Sequence, residues 1–352
     1  MNQKERVLQA LSHKKTDRLP TNYTASDDVT QKLVKHLGVA DEHELLCALN
    51  VDMRRVPCNV SSGEAIYPGI PELDKEGYVT NIWGVKTRNL YDEYYGREAI
   101  YPFDENSTLD DIHNHKWPDA SKLDFSYVKK FCDKYSDQYA LFGSPWGEFF
   151  HIVGWTIGQE NYFIWMATNP EIVDAITTHV MDYYVEATRR FLEASGGLVD
   201  ITYFGNDFGT QRGLFISPAH WERFIRKSYK RLFDISHSFG CKVMVHSCGA
   251  IRDLIPTFIE DGVDIIDPLQ VTAAGMDFTG LYRDFGSKVC FHGGIDMQFT
   301  LPLGTVEDVR NEVRTRIAVA RENGGYILCP SQSLIDAIPI DNILAMYDEN
   351  TK

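Results

Sequence analysis

Two side chains that bind soft metals, His246 and Cys248, stand two residues apart in the segment Lys242-Val-Met-Val-His-Ser-Cys-Gly249. The apolar residues before them predict a β-strand, and residues i and i+2 of a strand point to the same face. Nitrogen and sulfur donors together suit zinc, which can ionise a thiol substrate. The alternative is a hydrogen-bonded histidine beside an inert buried cysteine, and these two residues alone leave both interpretations open.

The elements that position this pair form an alternating pattern. From about Ile201 onward, short apolar runs alternate with amphipathic helices, an order typical of parallel βαβ units, and the less regular first half can supply three further strands. Eight strands joined by helices close into a (β/α)8 TIM barrel, and α/β is therefore the predicted fold class. The predicted strands are Arg18–Tyr23, Val51–Val56, Tyr139–Gly143, Val199–Phe204, Lys242–His246, Asp264–Asp267, Lys288–His292 and Gly325–Cys329.

One segment, about 60–122, does not fit a βα unit. Its stretch Gly77-Tyr-Val-Thr-Asn-Ile-Trp-Gly84 alternates between turn residues, which predicts a β-hairpin inserted in the amino-terminal half. The chain contains no repeat or Pro/Gly linker, so residues 1–352 are predicted to form a single domain. Helix starts are predicted at Ser217-Pro218 and at Thr305, where Thr305 and Asp308 form a capping box.

Because barrel chemistry lies at the carboxyl ends of the strands, five further residues become candidates. Asp207 and His151 are candidate catalytic residues. Asp207 could accept a proton or orient His246 through its carboxylate, and His151 could act as a general acid. Gln211, His292 and Trp146 are candidate substrate-binding residues. Each also has a structural interpretation: a loop brace for Asp207, a packed helix histidine for His151, turn contacts for Gln211 and His292, and core packing for Trp146.

Composition restricts the class of protein. The 35 basic and 50 acidic residues give a net charge of −15, which argues against nucleic-acid binding. The amino terminus reads as an amphipathic helix rather than a signal peptide, and no run approaches the ~20 apolar residues of a membrane span. Seven cysteines, an odd number over a long chain, are typical of reduced thiols and predict a cytoplasmic location.

In their order along the chain, several motifs resemble those of the uroporphyrinogen decarboxylase superfamily. This superfamily includes cobamide-dependent methyltransferases, and the resemblance implies a (β/α)8 barrel that is often dimeric. The motifs are Glu5-Arg-Val-Leu-Gln-Ala-Leu, Lys15-Thr-Asp-Arg-Leu-Pro20, Asn206-Asp-Phe-Gly-Thr-Gln-Arg-Gly-Leu214, Ser217-Pro218, Val245-His-Ser-Cys-Gly249, Gly275-Met-Asp277, Gly293-Gly-Ile-Asp296, Leu301-Pro-Leu-Gly-Thr305, Gly325-Tyr-Ile-Leu328 and Asp341-Asn-Ile-Leu-Ala-Met346.

The decarboxylase itself is a poor match. Its Arg-Gln-Ala-Gly-Arg loop, which clamps substrate carboxylates, corresponds to the acidic segment Thr21–Asp28. Its functional tyrosine corresponds to His151, and its late Gly-His-Gly motif falls near Cys329-Pro-Ser-Gln332, which has no histidine. These differences argue against porphyrinogen decarboxylation.

The methyltransferase branch, in contrast, carries a His-x-Cys pair and a distant cysteine that bind zinc, and His246 and Cys248 match that pair. The third family ligand aligns near Gln332, and a short local shift would let Cys329 serve instead. We therefore expect His246, Cys248 and Cys329 to be the metal ligands. Other candidates for the third ligand are Glu148, His151, Asp207 and His292.

The expected function is zinc-dependent transfer of a methyl group between a corrinoid and a thiol or tetrahydrofolate-type acceptor, with a small-molecule methyl donor or acceptor. The sequence has no Asp-x-His-x-x-Gly corrinoid signature, so a methylcorrinoid is expected on a separate carrier protein. Two alternatives remain. One is a cofactor-independent decarboxylase, and the other is a noncatalytic corrinoid- or tetrapyrrole-binding protein. The cationic clamps available to the decarboxylase are Arg54, Arg55, Arg212 and Arg252.

Overall fold

A computed structural model describes residues 1–58, 73–89 and 97–352. Its central element is a seven-stranded parallel sheet in the order β1-β5-β6-β7-β8-β9-β10, and a second, antiparallel sheet has the order β2-β3-β4. The strands are β1 Met53–Arg55, β2 Val79–Thr80, β3 Lys86–Asn89, β4 Arg97–Ile100, β5 Ala140–Phe142, β6 Ile201–Gly205, β7 Lys242–His246, β8 Ile265–Leu269, β9 Cys290–Ile295 and β10 Tyr326–Pro330.

Helices connect and surround the parallel strands. Short 3-10 turns lie at Ala120–Lys122 and Arg252–Leu254, and a π-helical stretch spans Trp221–Arg226. None of the helices in the described ranges combines the length and apolar character needed to cross a bilayer. The α-helices are α1 Gln3–Leu11, α2 Asp27–Leu37, α3 Glu42–Ala48, α4 Leu109–Asn114, α5 Val128–Tyr135, α6 Phe149–Ile157, α7 Gln159–Thr168, α8 Pro170–Ser195, α9 Pro218–His220, α10 Lys227–Ser238, α11 Ile255–Asp261, α12 Phe278–Phe285, α13 Thr300–Leu303, α14 Val306–Ala320 and α15 Ile340–Glu349.

Two predicted helix starts are confirmed. Ser217 caps α9 by accepting a hydrogen bond from the backbone N–H of His220, and Pro218 occupies the first turn, where a missing N–H costs nothing. At α14, the Asp308 N–H donates to Thr305 Oγ1 at 3.2 Å and the Thr305 N–H donates to Asp308 Oδ2 at 2.8 Å. Aspartate thus completes the capping box although Glu or Gln is more usual there.

The parallel sheet curls around an apolar interior. A buried cluster contains at least one residue from every strand of this sheet, and Val7 and Leu11 of α1 complete it. Because side chains alternate between the faces of a strand, these residues define the inner face. From the strands, the cluster contains Met53, Ala140, Phe142, Ile201, Met244, Ile265, Cys290 and Ile327.

The predicted first strand, Arg18–Tyr23, does not form as a regular strand. Thr21 makes an isolated parallel bridge with Leu328 of β10, while its carbonyl accepts a hydrogen bond from the Asp52 N–H ahead of β1. Extended backbone therefore links the two edge strands. A longer ladder is prevented because Pro20 lacks an N–H and the Thr21 N–H donates to Asp52 Oδ2 at 2.8 Å.

The segment between β1 and β5 carries the small antiparallel sheet. Val79 and Thr80 of β2 pair with Thr87 and Lys86 of β3, so the Gly77–Gly84 stretch contributes to an antiparallel pair. The rest of the predicted 60–122 insertion is described only in part, because residues 59–72 and 90–96 lie outside the described residues. Trp83 is fully buried and packs edge-on against Tyr183 of α8, which fixes this sheet to the main body.

Candidate active site

A polar layer lies directly above the apolar interior, toward the carboxyl ends of the strands. Its members each follow an inward-facing residue of the apolar cluster by two positions and therefore share the inner face. They are Tyr203, His246, Asp267, His292 and Cys329, which follow Ile201, Met244, Ile265, Cys290 and Ile327.

His246 is at the centre of this layer. Its Nδ1 atom lies 2.8 Å from Asp267 Oδ2 and 3.2 Å from the Tyr203 hydroxyl. Because Nδ1 donates its proton to Asp267, Nε2 is the nitrogen that points toward Cys248, and loss of the Nε2 proton would free its lone pair for a metal. The sheet thereby presents one defined imidazole nitrogen as a ligand.

Cys248 lies beside that nitrogen, as the two-residue spacing predicted. Its Sγ atom is 3.4 Å from His246 Nε2. Asp207, from the loop after β6, accepts a hydrogen bond from the Cys248 backbone N–H at 2.8 Å, and its Oδ1 atom is 3.6 Å from His246 Nε2. Each of these three side chains offers one ligand atom, and the three atoms lie within 4.8 Å of one another.

The electrostatics of the layer couple His246 to Asp267. Burial on its own would lower the pKa of His246, but the hydrogen bonds and charges of Asp267 and Cys248 raise it to about 10. Burial would raise the pKa of Asp267, yet the charge of His292 and the hydrogen bonds of both histidines hold it well below its usual range. The Asp267 carboxylate is therefore ionised and anchors the imidazole.

His292 lies beneath the metal-competent group rather than beside it. It is 4% exposed, and its Nδ1 atom is 2.5 Å from Asp267 Oδ1, while its Nε2 atom is 3.1 Å from the Asn22 side-chain nitrogen. Asp267 thus bridges two histidines, since each of its oxygens contacts a different ring. His292 is not among the residues that line the cavity beside Cys248.

Trp146 lies against the site from the loop after β5. Its ring centroid is 4.8 Å from that of Tyr203 and 5.5 Å from that of His246. A Cβ atom on Gly205 would lie 1.9 Å from Trp146 Cζ2, so the indole requires a glycine at the end of β6. Trp146 therefore forms one wall beside His246.

His151, on the first turn of α6, lies at the rim of the same region. Burial lowers its pKa, and the nearby charges of Asp207 and His246 act in opposite directions on it. Its Nδ1 atom lies 4.0 Å from Glu148 Oε2. The neutral imidazole favoured by burial can accept a proton.

A cavity of about 450 Å³ opens beside Cys248. Gln211, predicted to bind substrate, lines it together with Gln270 and Gln332. Gln270 Oε1 accepts a hydrogen bond from the Gly249 N–H at 2.8 Å, which fixes the turn that carries the thiol. The thiol therefore faces a space large enough for a small substrate.

The structure does not place Cys329 in the metal-competent group, whose members are Asp207, His246 and Cys248. Cys329 is fully buried on β10, and burial raises the pKa of its thiol well above the usual value. The Gln332 side-chain nitrogen lies 3.4 Å from Cys248 Sγ. An amide, and not the expected thiol of Cys329, thus contacts Cys248 from the segment that follows β10.

Sequence reasoning assigned no role to Tyr203 or Asp267, although a signal for both was present. Each lies two residues after an inward-facing apolar residue, on a strand adjacent to β7. In the parallel register, Asp267 lies level with His246 and Tyr203 lies level with Met244. Counting in steps of two along neighbouring strands therefore places Asp267 beside the imidazole, and the long side chain of Tyr203 reaches it from two residues earlier.

Comparison with known proteins identifies the family of this chain and the solved structures that it is similar to. A family model described as uroporphyrinogen decarboxylase (URO-D) matches residues 97–352. A methyltransferase from Methanosarcina mazei has a similar structure, with a TM-score of 0.64 at 14% sequence identity, and the match covers 100% of this chain and 98% of that chain. A glycosylated endo-β-1,4-xylanase from Gloeophyllum trabeum matches with a TM-score of 0.43 at 8% identity, over 67% and 83% of the two chains. The sequence has no significant match among curated proteins. The predicted family is confirmed, and the chain belongs to the uroporphyrinogen decarboxylase (URO-D) family.

Proposed function

We propose that this protein is a zinc-dependent methyltransferase that moves a methyl group between a corrinoid and a thiol or tetrahydrofolate-type acceptor. The observation that carries the proposal is the group formed by Asp207, His246 and Cys248 at the carboxyl end of the sheet. The fold shared with a methyltransferase from Methanosarcina mazei supports it. Demethylation of a methylated substrate in the reverse sense uses the same site.

The donor set fits zinc. A catalytic zinc site commonly has three protein ligands and an open fourth position. One oxygen, one nitrogen and one sulfur donor lie within 4.8 Å of one another here, and the sulfur borders the cavity. Asp267 holds the His246 ring by its other nitrogen, an arrangement typical of histidines that bind zinc.

Zinc at this site would bind the acceptor thiol and lower its pKa, so that a thiolate forms at neutral pH. A methylcorrinoid would supply the methyl group: a carbon–sulfur bond would form as the cobalt–carbon bond breaks, and the electron pair of that bond would remain with the corrinoid. His151 takes up the proton released from the thiol, and Trp146 bounds the site beside His246. Gln211 hydrogen-bonds the substrate from the cavity wall.

We further propose that the corrinoid arrives on a separate carrier protein that docks at the barrel mouth. The mouth has exposed apolar side chains near the cavity, including Phe299 and Ile335, which are 61% and 51% exposed. The family resemblance also implies a homodimer. In such a dimer, an interface away from the mouth would leave the mouth accessible to the carrier protein. The free thiols of the chain fit a reducing compartment such as the cytoplasm.

A decarboxylase of the type that gives the family its name is less well supported, because three of the arginines that could bind substrate carboxylates do not line the cavity beside Cys248. Arg252 forms an ion pair with Asp284. Arg54 is 3% exposed and donates toward His43 and Cys47 rather than into the cavity. Arg212 is absent from the described lining of the cavity beside Cys248.

The proposal is tested with zinc-loaded protein, trideuteromethyl-labelled methylcobalamin and 2-mercaptoethanol, with the labelled thioether detected by mass spectrometry. We expect thioether formation that depends on zinc and is lost in Cys248→Ser. Cys47→Ser is the matched control, because Cys47 is an exposed thiol outside the group. Absence of thioether from the zinc-loaded wild-type protein would contradict the proposal, and would favour the noncatalytic alternative if the corrinoid still binds.

A further inference from the structure

Most hydrogen-bonding side chains that line the cavity beside Cys248 are uncharged. Four glutamines, Gln211, Gln270, Gln298 and Gln332, contribute to its wall, with threonine and serine hydroxyls between them. Among the described residues that line it there is no lysine or arginine. An anionic substrate group would therefore lose its hydration without gaining a cationic side chain from this wall, which is costly.

Asp296, the one carboxylate among the described residues of this lining, is already engaged by the backbone. Its Oδ1 atom accepts from the Gln298 N–H at 2.7 Å, and its Oδ2 atom accepts from the N–H groups of Phe299 and Thr300 at 3.2 and 3.1 Å. Asp296 thus stabilises the turn that leads into α13. Because both of its oxygens accept backbone hydrogen bonds, Asp296 has little remaining capacity to pair with a cationic substrate.

The glutamine amides differ in how many of their hydrogen-bonding groups are already bound to neighbouring residues. The Gln332 amide nitrogen contacts Cys248 Sγ, and the Gln270 amide oxygen accepts from Gly249. The Gln270 amide nitrogen is then left to donate to a ligand, since an amide has two N–H donors. Gln211 and Gln298 are exposed on the wall, where they can add both donors and acceptors.

We infer that the small molecule bound beside Cys248 is uncharged and rich in hydroxyl or amide groups, rather than a carboxylate, sulfonate or phosphate. This inference deepens the proposed function: that the bound molecule is a methyl donor or acceptor rests on that function. The charge selectivity of the cavity is independent of that function. Arg55, at the end of β1, lines a separate cavity of about 310 Å³, and its guanidinium carbon lies 6.0 Å from the centroid of the Tyr203 ring.

Charge selectivity is measured with three methanethiosulfonate reagents of similar size, carrying a neutral, a sulfonate or an ammonium group. In each reaction the cysteine sulfur attacks the sulfenyl sulfur, a disulfide forms and methanesulfinate leaves. Rates at Cys248 are followed by site-resolved mass spectrometry of the full chain, as purified and after chelator treatment, and are divided by the rates with a free thiol.

We expect the sulfonate reagent to modify Cys248 at least about tenfold more slowly than the neutral reagent, and the ammonium reagent to react within about threefold of it. Cys47 is an internal reference, because the Arg54 guanidinium lies 3.5 Å from its Sγ atom. There the sulfonate reagent is expected to be favoured. A sulfonate rate at Cys248 equal to or above the neutral rate would overturn the inference, as would a strong preference for the ammonium reagent.

A variant pair sharpens the test. Gln298→Lys adds a cation to the cavity wall and is expected to raise the sulfonate rate at Cys248 severalfold while leaving Cys47 unchanged. Gln31→Lys makes the same change on exposed α2 and is expected to alter neither rate. Equal responses of the two variants would mean that the cavity does not set the selectivity.

Methyl transfer provides a separate arm with 2-mercaptoethanol and 2-mercaptoethanesulfonate as acceptors. The neutral thiol is expected to be the better acceptor. A better rate with the sulfonate thiol would overturn the inference while supporting methyl transfer. If neither thiol is methylated, the proposed function fails, and the labelling rates still decide the charge class of the ligand.

Discussion

Asp267 Oδ2 lies 2.8 Å from His246 Nδ1, where β8 and β7 end side by side. The contact selects the imidazole nitrogen that faces Cys248, since the other nitrogen is occupied by the carboxylate. Asp267 also contacts His292 and Tyr203. One buried carboxylate therefore orients the ligand and joins it to the rest of the polar layer.

The first prediction concerns this carboxylate. Asp267→Asn should weaken zinc binding by roughly 10–100-fold, because a neutral amide holds the His246 Nδ1 proton more weakly than the carboxylate does. Zinc affinity is measured by competition with a chromophoric chelator. Asp264→Asn is the control, since Asp264 precedes the opposite end of the same strand and pairs with Lys242. Equal zinc affinity in wild type and Asp267→Asn would show that the anchor is dispensable.

The second prediction separates two candidates for the third ligand. Asp207→Ala should lose zinc, whereas Cys329→Ser should retain it, because Asp207 belongs to the group and Cys329 does not. Asp207→Asn keeps an oxygen that can accept from the Cys248 N–H, so it distinguishes ligation from bracing of the loop. Metal content per chain is measured by mass spectrometry. Loss of zinc from Cys329→Ser alone would return the role to that cysteine.

How well the sequence predicts each contact in this site depends on how far apart the two residues are along the chain. The adjacency of His246 and Cys248 is confirmed because it follows from strand geometry within one segment. The placement of Asp207 depends on a loop from another strand that folds back onto the Cys248 backbone, and local pattern does not reveal such contacts. The first strand, Arg18–Tyr23, was wrongly predicted as regular because the competing acceptor, Asp52, is distant in sequence from Thr21.

The third prediction restores the family pattern. Gln332→Cys should bind zinc more tightly, on the order of tenfold, because a thiolate replaces an amide beside the Cys248 sulfur. The measurement is chelator competition under reducing conditions. Gln332→Ser is the companion variant, which removes the amide without adding a sulfur ligand, and it should not gain affinity. Unchanged affinity in Gln332→Cys would mean that position 332 cannot reach the metal.

The fourth prediction concerns stability in acid. Burial would raise the pKa of Glu349, but hydrogen bonds from Arg310, Arg314 and Lys352 lower it to about 2. A depressed pKa stabilises the fold above the unfolded value near 4.5, and this stability is lost as the pH falls toward 2.

Glu349→Gln should therefore lower the free energy of unfolding by roughly 1–2 kcal/mol at pH 7 and flatten its decline between pH 4.5 and 2. Denaturant titrations at several pH values measure both effects. Glu105→Gln removes an exposed carboxylate elsewhere and should keep the wild-type slope. A Glu349→Gln profile parallel to that of the wild type would contradict the assignment.

The most direct test of the account is zinc K-edge X-ray absorption of the purified protein, together with metal content per chain. The account predicts about one zinc per chain with a single sulfur ligand at about 2.3 Å and nitrogen or oxygen ligands at about 2.0–2.2 Å. That sulfur signal should disappear in Cys248→Ser. Two sulfur ligands in the wild type, or no bound zinc after incubation with the metal, would contradict a site built from Asp207, His246 and Cys248.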